Sequence, residues 1–169
     1  REALQAHLGH SFLIVCAEQA LELDDNDLHA PAHVCRGCNS ASNLSALHFA
    51  ASSRANGESG RLVVKKLLSL NPECAKLEDS TGSLPMHRIV ENKDKSNWRL
   101  DGAKDLYAAN TLAINAVDND GRLPLHRAAK AIMHQLNVSD ELMLANSVVY
   151  NLLDAHAEAA CQTDNFGCL

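Results

Sequence analysis

Aromatic residues are scarce in this sequence: one Trp, two Tyr and three Phe among 169 residues. The core is therefore expected to be built from Leu, Ala, Val and Ile, a composition that favours helices over strands. Basic clusters are also missing. The largest is the pair Lys65-Lys66, in a chain of formal net charge -6. Without a basic face, binding to DNA or RNA is not expected, and the charge serves solubility. No apolar run approaches the ~20 residues needed to span a bilayer; the longest, residues 12–17, is about a third of that. No signal peptide is visible. Residue 1 is Arg rather than Met, so the sequence reads as a piece of a longer protein, and a signal lost upstream stays open. Nor is there a phosphate loop: Gly57-Glu-Ser-Gly60 lacks the Lys-Ser/Thr that such a loop requires.

What remains is ordinary for one globular domain, with 46% apolar and 21% charged residues. Six cysteines, Cys16, Cys35, Cys38, Cys74, Cys161 and Cys168, are irregularly spaced. They are read as reduced thiols of a cytoplasmic or nuclear protein.

The informative feature is repetition. Ser45-Ala-Leu-His48-Phe-Ala-Ala51, Leu84-Pro-Met-His87-Arg-Ile-Val90 and Leu123-Pro-Leu-His126-Arg-Ala-Ala129 align, with the histidines 39 residues apart twice in succession. Asp79-Ser-Thr-Gly82 and Asp118-Asn-Asp-Gly121 precede the second and third copies, and Asp164-Asn-Phe-Gly167 starts a further one. A second motif follows each histidine, in residues 62–70, 103–109 and 148–153, with apolar residues recurring at helical spacing. Pro85 and Pro124 stand where a first helical turn begins, because proline's missing N–H would be unpaired there anyway. Gly82, Gly121 and Gly167 supply the positive φ of a tight turn.

This succession resembles the ankyrin repeat over residues 40–169. The resemblance implies an all-α solenoid of stacked helix-turn-helix repeats with short β-hairpin or loop fingers. Its units are 40–78, 79–117 and 118–163, then the start of another at 164–169, after a degenerate repeat or cap at 1–39. The threonine of the family motif is replaced by Ser45, Leu84 and Leu123. Ser45 still caps its helix, whereas the two leucines cannot, so those helix starts need another acceptor. The repeats are also longer than usual, with the extra residues between the two helices at 52–60, 91–101 and 130–146. In the last insertion, Ile132, Met133, Leu136, Leu142 and Met143 predict longer helices, with Ser139 as an N-cap.

The family likeness gives His48, His87 and His126 a structural task, bonding loop backbone and tying neighbouring repeats. No partner group for acid–base chemistry recurs with them, and no catalytic residues are assigned. Cys35-Arg-Gly-Cys38 with His29 and His33 is the one metal-like cluster. It lacks the second Cys pair of a zinc site, so the histidines would have to fill in, with Cys16 or His48 as further candidates; no metal or cofactor is assigned, and zinc at Cys35 and Cys38 is a minor alternative. Arg88, Arg127, Arg122 and Lys130 form either a small basic strip or solvated heads on packed stems. Trp98 either caps the core or serves as an exposed anchor.

The resulting expectation is a monomeric, non-catalytic protein–protein interaction module that takes another protein, not nucleic acid or membrane. Carried over from the family, the contact positions are Ser80, Thr81, Ser83, Glu91 and Asn92, then Asn119, Asp120, Arg122 and Lys130, then Asn165 and Phe166. The alternative is a regulatory or targeting segment of a larger enzyme or channel.

Overall fold

The computed structural model describes residues 45–54, 57–92, 97–132 and 147–168. The expectations for residues 1–39, for the cluster around Cys35 and Cys38, and for the helices beyond Ile132 lie outside them. The described residues are helical, without strands; one isolated bridge joins Asn97 and Ser147.

Each helix start has a local cause. In α1, Ala46–Ser52, the Ser45 side chain accepts from His48 N–H, satisfying one of the free amides of a helix N-terminus. The helices α3, Pro85–Glu91, and α5, Pro124–Ile132, open on their prolines. The second helices are α2, Gly57–Leu70, α4, Ala103–Ala109, and α6, Val148–Ala155. α2 starts five residues before the predicted motif, on Gly57 with φ 61°. Ser147 caps α6 by accepting from Tyr150 N–H.

Each second helix is followed by a 3-10 helix: Pro72–Lys76, Thr111–Asn115 and Ala157–Cys161. Buried Ala75, Ala113, Ile114 and Ala159 anchor them, and Asn110 Nδ2 donates to the Ala75 carbonyl at 3.3 Å. Such short turns carry too few apolar residues for a periodicity to register.

Two layers result. α1, α3 and α5 pack side by side in one, and α2 beside α4 in the other, with each first helix against its own second helix. Leu47, Met86, Ile89, Leu106, Leu123 and Val64 are among the fully buried side chains, each stabilising the fold by roughly 1.5–3 kcal/mol. Ala50, Ile89 and Ala128 occupy one repeat position on three successive helices and are all buried. Small, large and small residues alternate there, as close packing requires. Trp98 is 6% exposed and its ring lies 5.8 Å from that of Tyr107. It caps the core, and the exposed-anchor reading is withdrawn.

The turns between units form loop fingers at residues 79–83, 118–122 and 164–168. No strand ladder forms in them. The hairpin form is corrected to a five-residue loop, because the leading aspartate closes it on its own backbone before pairing can extend.

Candidate functional site

The three fingers share one construction. Asp79 N–H donates to the Ser83 carbonyl at 3.0 Å, and Gly82 N–H to the Asp79 carbonyl at 2.9 Å. Asp79 Oδ1 accepts from Thr81 N–H at 2.8 Å and Ser83 N–H at 3.1 Å. Asp118 Oδ1 takes Asp120 and Arg122 N–H, both at 2.9 Å. Asp164 Oδ1 takes Phe166 and Cys168 N–H, again at 2.9 Å. The second oxygen of Asp79 accepts from Arg88 Nε at 2.8 Å, and that of Asp118 from Arg127 Nε at 2.8 Å. Arg88 Nη2 and Arg127 Nη2 complete the two forks.

Burial opposes ionisation of Asp79, but the Thr81 hydroxyl, Arg88 and the backbone amides of Thr81 and Ser83 outweigh it and hold its carboxyl at about 2. Asp118 is lowered against its burial by the Arg122 amide and Arg127. Asp164 is lowered chiefly by the Cys168 amide. All three are charged anchors.

The fingers are also joined to one another. Asn119 N–H donates to the Thr81 carbonyl, and Asn165 N–H to that of Asp120, both at 3.0 Å. Their side-chain amides reach the Ser80 and Asn119 carbonyls at 3.3 Å. Gly82 and Gly121, with φ 69° and 73°, leave room for this. A Cβ on either would lie 2.5 Å from the Asn119 or Asn165 side-chain oxygen.

Each repeat histidine ties a finger base to a helix. The N–H groups of Ser45, Leu84 and Leu123 donate to Nδ1 of His48, His87 and His126 at 3.2, 3.1 and 3.0 Å. Histidine from three residues on thus accepts the N-cap residue's own amide, while the His87 N–H, which a capping hydroxyl would have taken, goes to the Leu84 carbonyl at 3.0 Å. The proton therefore sits on Nε2. It faces the Ser83 carbonyl at 2.9 Å for His48, those of Ala116 and Arg122 at 3.1 and 3.2 Å for His87, and that of Gln162 at 2.9 Å for His126. Burial lowers the pKa of His48. Burial, with Arg127 nearby, lowers His87 to about 4. Both ring nitrogens are committed to backbone, leaving none to exchange a proton with a bound molecule.

Ser80, Thr81, Asn119, Asn165 and Phe166 are exposed along one row of fingers, with Asp120 and Arg122 half-buried beside them. Arg122 pairs with Asp120 at 2.7 Å and stands 5.2 Å over the Phe166 ring, itself 67% exposed. Lys130 is exposed on the last turn of α5.

Of the predicted contact residues, Ser83 faces inward, and Glu91 and Asn92 are half-buried and bound to neighbouring residues. Ser83 is fully buried because its backbone closes the finger, so it is corrected to a structural position. Asn92 spends its amide on the Ala51 and Ser53 carbonyls at 3.3 and 2.8 Å. The Glu91 carboxylate takes Arg127 Nη1 at 2.6 Å. Arg88 and Arg127 are bonded into the preceding finger, so they do not form a free basic strip with Arg122 and Lys130. The sequence carried that signal unread: Asp79 with Arg88 and Asp118 with Arg127 share one spacing, and where Ser40 stands at the Asp position, Phe49 replaces the arginine.

Among the described residues, no group of three or more His, Cys, Asp or Glu is placed to hold a metal ion. Cys74 is half-buried, and Cys161 and Cys168 are exposed free thiols. Among the same residues, no helix is long and apolar enough to cross a membrane. No family model matches the chain, and no curated protein is found to be similar to it.

Proposed function

We propose that this chain is an ankyrin-type repeat module that binds another protein through its fingers and the neighbouring face of the first helices, without catalysis. The observation that carries the reading is the register of the three fingers. Asn119 and Asn165 lock each to the one before, so Ser80, Thr81, Asn119, Asp120, Asn165 and Phe166 are offered from a preorganised row. Ordering entropy is spent in folding rather than on docking, which favours affinity. The 39-residue recurrence of His48, His87 and His126 in one structural task supports the repeat assignment. Phe166 over the Arg122 guanidinium is the natural hot spot, being an exposed aromatic on a fixed support.

The test compares proteins captured by the wild-type chain with those captured by the double variant Phe166→Ala, Asp120→Ala. Both side chains lie on the finger surface, so the thermal midpoint should stay within about 2 °C of wild type, as expected of surface changes. A genuine partner should bind the variant at least about tenfold more weakly. If every captured protein holds wild type and variant equally, the fingers are not the contact surface.

A further inference from the structure

We propose that His48 and His87 make the attachment of the first two fingers to their helices an acid-sensitive joint, which opens while the fingers and helices themselves stay formed. The geometry is donor against acceptor on both sides of each ring. Nδ1 of His48 receives Ser45 N–H and Nδ1 of His87 receives Leu84 N–H, while Nε2–H reaches the Ser83 carbonyl or the Ala116 and Arg122 carbonyls. A second ring proton must go on Nδ1, where an amide hydrogen already points. At His87 two donors then face each other in a fully buried site, and the ring has to leave; at His48 the Ser45 hydroxyl, 2.7 Å from Nδ1, can turn to accept, so the clash there is weaker.

The charges around the rings do not decide the matter. Asp79 and Arg88 face His48, and Asp118 and Arg127 face His87, one of each sign. Burial and the occupied Nδ1 prevail, so the attached ring disfavours its cationic form. The fingers' own clasps respond differently. Hydrogen bonds hold the Asp79 carboxyl at about 2 and lower that of Asp118, and their arginine forks come from the helix that follows the finger, not from the histidine-bearing helix before it. Acid thus attacks the tie to one helix and spares the tie to the other.

The sign follows from linkage. A detached ring titrates near its ordinary value of about 6.5, so below that pH the detached form gains about tenfold per pH unit per histidine. For His87 the gain ends near about 4, where the attached ring protonates as well. If the fingers are the contact surface, as proposed above, acidification releases the partner by disconnecting the row.

The test needs no partner, so its failure is separate from that of the binding proposal. Amide hydrogen exchange of the whole chain is measured by NMR at pH 7 and pH 5 and corrected for intrinsic rates. Leu84, whose N–H rests on His87 Nδ1, should open about 25-fold more often at pH 5. Gly82 inside the finger and Val64 inside α2 should change little. The variant His87→Gln, whose side-chain amide can both accept and donate, should flatten the response at Leu84. Equal loss of protection at Leu84 and Val64 would mean simple acid unfolding and overturn the joint. So would an imidazolium signal from His87 at pH 5 beside an unchanged Leu84 amide, a result readable in the wild-type chain alone.

Discussion

The unit of residues 79–117 and the one after it, residues 118–163, with the finger at 164–168 that follows, carry corresponding positions in unequal surroundings. Met86 and Val90 are buried at 1% and 3%, whereas Ala129, the equivalent of Val90, is exposed and Leu125, the equivalent of Met86, is half-buried. His87 is fully buried; His126 is not. The carboxylates of Asp79 and Asp118 receive arginine forks, whereas Asp164 has Arg122 Nε only at 3.5 Å. A repeat position therefore has no fixed energetic value. Its worth is set by the unit stacked against it, as expected of a chain whose stability is a sum of unit and interface contributions.

Removing one member of each matched pair sharpens this contrast. The largest effect is expected at the clasp. Asp118→Ala leaves Arg127, 9% exposed, without its main counter-charge, which should cost roughly 3–5 kcal/mol. Asp164→Ala, which strands no arginine fork, should shift the urea midpoint far less. Equal losses would show that the fork adds nothing to the turn's own hydrogen bonds. Next comes histidine. His87→Ala removes the acceptor for Leu84 N–H and the donor to two carbonyls, for a loss of roughly 2–4 kcal/mol. His126→Ala, where water can take over, should lose about half as much or less. An unchanged melting temperature for His87→Ala would refute the tie assigned to it. The smallest effects belong to the glycines. Gly167→Ala meets nothing within 4 Å and carries only the strain of φ 78°, on the order of 1 kcal/mol. Gly82→Ala adds a collision with Asn119 and should lose more, with the Asn119 amide exchanging faster. If the two alanine variants were equally stable, the finger ladder would contribute nothing.

Much of the framework was legible because its causes are local. Pro85 and Pro124 start helices through their own ring geometry, Ser45 caps through its own hydroxyl, and Gly82 and Gly121 turn through their own φ. The 3-10 helices escaped notice because they are too short for a pattern. Leu84 and Leu123 showed only that a side-chain cap was missing; that their own amides go to His87 and His126 was hidden because those histidines were already counted as inter-repeat ties. Among the proposed contact residues, Ser80 and Phe166 were placeable by position in the turn. Glu91 and Asn92 were not, because their partners lie 36 and 39–41 residues away, and Ser83 was not, because His48, 35 residues away, covers the finger base that Asp79 closes locally.

From composition and spacing alone followed the helical class, the 39-residue period and the placing of each turn, all consequences of backbone preferences within a few neighbouring residues. Folding settled which aspartate grips which arginine, which ring loses its water and which side chains stay outside. Those outcomes depend on burial and hydrogen-bond geometry, and both exist only once distant segments have come together.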